Sequence, residues 1–300
     1  MRKCFIFAAA VALTFSLRAR AGVESHYFAN ANDAKTPIDL FKLEGGYVFE
    51  SQLHQGGTDY GKQDAFELDA EYSHRFLIKG NWYFRAGITY NRFEFGDSSA
   101  PVPDHLQSIA ALFSIEYCVK GDRGAFLEVR PGFYGVNNFD SSSFDIPITL
   151  GRAWVLKPDK IFLFTGVNAS FLRGQYPVIP LVGLVWHFNE QWLLYGVVPE
   201  PRLVYTPNKK LDLWVGGQIT GGSFRTDESN TIFPAKLSHA EVDYSDYRLG
   251  AGLIWHATHA IDLDLGGGYS IQRRFNYERA EQDYKTDPSP YLRLLVKAEF

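Results

Sequence analysis

The chain has 300 residues, a formal net charge of −4, two cysteines, one methionine, 27 glycines and 16% aromatic residues. An acidic balance disfavours a nucleic-acid partner, because a phosphate-binding surface needs the opposite sign. Abundant Tyr, Phe, Trp and Gly with few helix-favouring runs point to an all-β chain.

Arg2 and Lys3 open the chain, Cys4 to Leu17 is almost unbroken apolar sequence, and Ala19-Arg20-Ala21 places small residues where a signal peptidase reads. The apolar run is shorter than the ~20 residues a spanning helix requires. Residues 1–21 are expected to be a secretory signal peptide, with Gly22 as the new amino-terminus. Cys4 leaves with it, so Cys118 remains alone and no intramolecular disulfide is possible. Loss of the four basic residues in 1–21 takes the net charge from −4 to −8. An exported chain without disulfides must be held by a large core or by a closed hydrogen-bonded barrel.

Residues 22–40 carry little periodicity and read as an extended amino-terminal segment. From residue 41 to 300 amphipathic runs alternate with turns. Phe66, Leu68, Ala70 and Tyr72 oppose Glu67, Asp69, Glu71 and Ser73, and a Lys79-Gly80-Asn81 turn follows. Trp82, Phe84, Ala86, Ile88 and Tyr90 then oppose Tyr83, Arg85, Gly87, Thr89 and Asn91. Aromatics at the ends of the stripe and aliphatics in its middle suit a lipid-facing strand with interfacial girdles. The run from His105 to Val119 is apolar on both faces. Glu128 and Arg130 share one face of the next strand, and Phe144 to Leu156 and Ile161 to Phe171 follow. Pro177 to Phe188, Trp192 to Val198, Arg202 to Thr206 and Leu211 to Thr220 continue the series. The polar stretch Thr226 to Asp243 reads as an external loop and Arg273 to Pro290 as a charged one.

Between them, Tyr247, Leu249, Ala251, Leu253 and Trp255 alternate with Arg248 and small residues, and Ile261, Leu263 and Leu265 alternate with Asp262 and Asp264. The last strand sets Leu292, Leu294, Val296, Ala298 and Phe300 against Tyr291, Arg293, Lys297 and Glu299, with Leu295 the apolar exception.

Short turns at 79–81, 120–124, 157–160, 189–191, 207–210 and 257–259 alternate with longer connections at 54–63, 96–104, 135–143, 226–243 and 273–290. The connection at 172–176 is the short exception. This asymmetry predicts a single antiparallel transmembrane β-barrel of about 12 strands (10 to 14 by boundary uncertainty), with short periplasmic turns and longer external loops. The fold-level rival is a soluble periplasmic β-sandwich.

The ending on an aromatic residue resembles the terminal strand of bacterial outer-membrane barrels, which implies that Phe300, Ala298 and Val296 belong to the signal read by the barrel-assembly machinery. Pro199-Glu200-Pro201-Arg202-Leu203-Val204-Tyr205, Leu211 to Gln218 and Gly221 to Arg225 carry a further resemblance. So do Pro180 to Leu184 and Asn189-Glu190-Gln191-Trp192. Together they resemble a family of bacterial outer-membrane, porin-like barrel proteins to which no activity is assigned. The resemblance implies an outer-membrane location in a Gram-negative-type bacterium, with membrane lipid and lipopolysaccharide as surroundings, and it brings no activity.

The remaining residues are lumen candidates. Glu67, Asp69 and Glu71 could select cations in a pore, although a solvated or ion-paired wall is the plainer reading. Arg85, Glu128, Arg130, Arg248, Arg293 and Lys297 could neutralise that wall across the lumen and plug it. Asp262 and Asp264 lie near His256 and His259, but two strand-neighbour aspartates without a third fixed ligand make a rim network the better account than a metal. No Ser or Asp stands where it would mark a nucleophile beside His187, His239, His256 or His259, so a rim-sited hydrolase is the weaker alternative. Gly216-Gly217 and Gly266-Gly267-Gly268 have no helix after them and read as strand glycines where a neighbour approaches closely. No cofactor is expected. The expected role is passive: a pore for small solutes, or a closed barrel that binds through its loops.

Overall fold

Period-two alternation is realised as antiparallel strands through nearly the whole chain. The structure is a computed structural model that describes residues 38–300 apart from 120, 121 and 175. The expected signal peptide and most of the 22–40 segment lie outside the described residues.

The strands are β1 (Asp39–Gln55), β2 (Thr58–Lys79), β3 (Trp82–Phe95) and β4 (His105–Val119). Next, β5 (Asp122–Val129, continued by Gly132–Gly135) is broken at Pro131, and β6 (Phe144–Asp145, continued by Ile148–Lys157) is broken at Pro147. Then come β7 (Ile161–Ala169), β8 (Val178–His187), β9 (Trp192–Val197), β10 (Arg202–Asn208) and β11 (Leu211–Arg225). The series ends with β12 (Glu241–His256), β13 (Ile261–Tyr277) and β14 (Gln282–Thr286, continued by Ser289–Glu299). Each strand pairs with the next, and β14 returns to β1, from Leu40 opposite Glu299 to His54 opposite Lys285. The chain is a closed antiparallel barrel of 14 strands, at the upper bound of the expected range. Closure removes the edges that a sheet cannot leave in hydrocarbon, and it displaces the sandwich reading.

The outward face confirms the solvent. Leu43, Ile88, Ile115, Leu150, Leu249 and Leu294 are all exposed, in a belt far larger than the apolar patches of soluble monomers. Exposed Trp82, Trp186, Trp192 and Trp255 lie beside the short turns. Trp82 and Tyr117 rings meet at 5.2 Å, and those of Trp192 and Tyr205 at 4.8 Å. Such a girdle marks a membrane interface. Ile38 N–H donates to Phe300 O at 2.6 Å at this same periplasmic end.

Two connections differ from expectation. Residues 54–63 and 273–290, expected as loops, are largely strand: β1 and β2 meet at a Gly56-Gly57 turn, and β13 and β14 at residues 278–281. Strands standing clear of the membrane no longer separate lipid from lumen, so their sequence loses the alternation that makes a strand visible.

The interior is filled by two apolar cores. Val48, Leu53, Phe93, Phe95, Leu106, Phe224, Tyr244, Phe275, Tyr277, Tyr284 and Tyr291 pack together toward the external end. Phe93, Phe95, Tyr244 and Phe275 form its aromatic centre, with ring centroids 4.8–5.1 Å apart. Phe126, Phe162, Phe164, Val185, Leu193, Val204, Trp214 and Ile254 form the second, toward the periplasmic end on the opposite side. At the top the barrel is pinched: Arg225 of β11 pairs in parallel with Gly135 of β5. Asp227 accepts from the amides of Asn137 and Asn138, which holds the two strands together.

The lumen as candidate functional site

Inward-facing positions at mid-height are ionisable, and the barrel brings them together across the lumen. Glu67, from β2, receives Arg248 of β12 at 2.9 Å, and Arg248 Nε also donates to Asp246 at 2.7 Å. Glu71 receives Arg130 at 3.2 Å and Arg85 at 3.4 Å. Glu128 holds the same two arginines, Arg130 at 2.7 Å and Arg85 by a shorter contact. Arg75 and Arg85 close this cluster on Glu116, at 2.7 and 2.8 Å. Asp69 lies 3.3 Å from Lys42. The acidic stripe is thus compensated residue by residue, and loss of either partner of a buried pair would leave an uncompensated charge.

A second cluster is centred on Asp264. Its carboxylate accepts from Arg202 at 2.8 Å, from Arg293 at 3.0 Å and from the Trp214 indole at 2.8 Å. The Arg202 guanidinium lies over the Trp214 ring at 4.3 Å. Arg293 also approaches Glu44 and Glu200, both at 3.5 Å. The indole reaches Asp264 because Gly252 and Gly266 make room, since a Cβ on either would stand 2.6 or 2.5 Å from Trp214. At Gly216 and Gly268 an added Cβ would strike the carbonyls of Pro201 and Leu249. These glycines therefore serve close approach.

Asp262 and Asp264 separate. Asp262 turns to His256 Nδ1 at 2.7 Å, while His256 Nε2 lies 3.1 Å from Asp212. This is a rim network, and His259 takes no part in it. Lys297 pairs with Glu299 at 2.7 Å at the periplasmic rim, away from the acidic stripe. Phe300 is exposed beside it.

Composition and spacing did not single out Lys42, Glu44, Arg75, Glu116, Glu200, Arg202 or Asp246, which complete both clusters. Each does sit on the lumen face of a strand or in a Pro-flanked turn, and that is the signal that could have found them. Arg273, expected at the start of a loop, is fully buried. It donates to Ser51 at 3.2 Å and to the Gln63 carbonyl by a shorter bond.

The lumen is therefore charged at mid-height and closed by aromatic rings above. Toward the periplasmic end, Asp262, His256 and Lys297 are partly exposed.

No family model matches the chain, and no curated protein matches it either. Among solved structures it is similar to an outer-membrane channel from Pseudomonas putida F1, at 11% identity and a TM-score of 0.47, over 92% of this chain and 100% of that one. It is also similar to the Pseudomonas putida toluene transporter TodX, at 12% identity and 0.46, over 94% and 97%. The translocator domain of autotransporter NalP from Neisseria meningitidis matches at 10% identity and 0.36, over 90% and 91%.

Proposed function

We propose that the chain is a passive outer-membrane channel for small solutes, held shut in this conformation. The observation that carries the reading is a closed barrel whose lumen is lined at mid-height by ionisable side chains from many strands. A purely structural barrel gains little from burying so many charges, because replacing buried ion pairs by apolar residues is often neutral or stabilising. Charges on a lumen wall are, by contrast, what solute selection uses. Export through residues 1–21, insertion by the assembly machinery through Phe300, Ala298 and Val296, and contact with outer-membrane lipid and lipopolysaccharide belong to the same proposal.

The test is conductance of refolded Gly22 to Phe300 in a planar bilayer, with KCl and then with larger ions. Discrete cation-biased steps support the channel, and neutralising Glu67, Asp69 and Glu71 should then reduce the bias. The aromatic core favours a second reading, a closed barrel that binds through its external loops. Silence from protein that is folded and inserted would select it.

A further inference from the structure

The wall is not of even height. Strand β9 has 6 residues and β10 has 7, against 15 in β11. Val178 to Val182 of β8 consequently have no partner on the β9 side, where pairing begins at Gly183. Pro199 and Pro201 in the β9–β10 turn have no N–H to extend a ladder, and Pro180 lies in the unpaired half of β8, as prolines in sheets do. Above that turn, residues of β11, β12 and β13, together with Ile179 of β8, line a cavity of about 300 Å³, the size of a small-ligand cleft. A strand crosses the hydrocarbon in roughly 9–11 residues. Counted up β12 from Trp255 in the periplasmic girdle, Tyr247 and Ser245 reach the external interface, and Asp243 stands above it.

The charges of this cavity cancel. Arg274 is held by Asp283 at 2.6 and 3.1 Å. Asp243 accepts from Ser223 Oγ and offsets the charge of Arg173, which also donates to Asn168 Oδ1 at 2.7 Å. An anion would meet Asp243 and a cation would meet the two arginines, so the balance favours a neutral ligand.

One polar group is left over. Asn276 lines the cavity and is 8% exposed, yet among the described residues its carboxamide has no hydrogen-bond partner. The Ser245 and Tyr247 hydroxyls line the same cavity, also without a partner. A buried amide left unmet is costly, and a carboxamide must both donate and accept. Two adjacent hydroxyls answer it, one accepting from the amide nitrogen and the other donating to the oxygen. Tyr247, Ile179 and Ile219, all exposed, add apolar surface beside these polar groups, which suits the C–H face of a sugar ring.

We infer that this cavity binds a neutral saccharide, with adjacent ring hydroxyls on the Asn276 carboxamide and the ring face on Tyr247. The site stands whether or not the lumen conducts. Its chemistry fits the saccharide head of an outer-leaflet glycolipid or a free sugar.

Native mass spectrometry of refolded Gly22 to Phe300 in an octyl oligoethylene glycol detergent, which carries no sugar, separates the two sources. Uptake of one equivalent of dodecyl maltoside without uptake of maltose identifies the glycolipid, and uptake of maltose itself identifies the free sugar. In either case Asn276→Leu should weaken uptake by about tenfold, the loss of its hydrogen bonds, and Ser245→Trp should fill the cavity and abolish uptake. Both positions alternate with lumen-facing neighbours and do not themselves face the lumen, so the variants should keep the heat-dependent gel mobility that reports folding. Uptake of both sugars equal in the wild type and both folded variants, or no stronger than that of dodecyl octaethylene glycol ether, overturns the site.

Discussion

The tall and short sectors of the wall solve one problem in opposite ways. Strands β1–β4 and β11–β13 run 14 to 22 residues, whereas β7–β10 run 6 to 10. The tall sector stands above the hydrocarbon and fills its external end with Phe93, Phe95, Tyr244 and Phe275. The short sector has no upper interior to fill, so its apolar core sits low, around Phe164, Leu193 and Trp214. The two ionic clusters lie between these cores. Strand length thus decides where a barrel places its apolar filling, and the charges occupy what remains.

That contrast can be broken at several points. The largest effect is expected at the junction, where Arg293→Met leaves Asp264 and Glu44 under-compensated. Breaking a buried pair costs about 3–5 kcal/mol, read as a lower urea midpoint for the folded gel band. Adding Asp264→Asn and Glu44→Gln should recover most of the loss, and an unchanged single variant would show the cluster to be solvated. Tyr244→Ala removes a ring from the upper core, with a cost of about 3 kcal/mol and a rise in bilayer conductance. Leu193→Ala in the lower core should cost about 2–3 kcal/mol without that rise. If both variants conduct alike, the cores do not differ in gating.

On the lipid face, Leu249→Arg should cost about 2–4 kcal/mol, whereas Phe233→Arg in the external loop should leave the midpoint unchanged. The smallest effect is expected at Pro180→Val, within about 0.5 kcal/mol, because no ladder waits for the restored N–H. A larger gain would mean that β9 can extend alongside Val178 to Val182 of β8.

Much of this architecture was legible in the sequence because lipid imposes a strict period. The alternation from Leu292 to Phe300, the tryptophans beside short turns and the close-approach glycines at 216 and 266 follow from residue type alone. What was not legible depends on partners far apart in the chain. Glu67 meets Arg248 and not Lys297, because register and tilt, not sign, set which strands face each other across the lumen. Residues 54–63 and 273–290 looked like loops because, outside the bilayer, both faces of a strand can be polar. Arg273 reads as solvated, yet the fold buries it fully against Ser51 and the Gln63 carbonyl, groups far away in the chain.

The parallel contact between Arg225 and Gly135 works as a drawstring. Fourteen strands at full girth enclose more space than side chains alone can fill, whereas about eight give an interior that they can. Drawing the top of β5 against the top of β11 leaves an upper hoop of β11–β14 and β1–β5, close to that smaller size. The mouth is stoppered by its own rings without a separate folded plug among the described residues. Its calibre is then a property of one knot: untying Arg225 and Asp227 from Gly135, Asn137 and Asn138 should change the mouth in a single step, not by degrees.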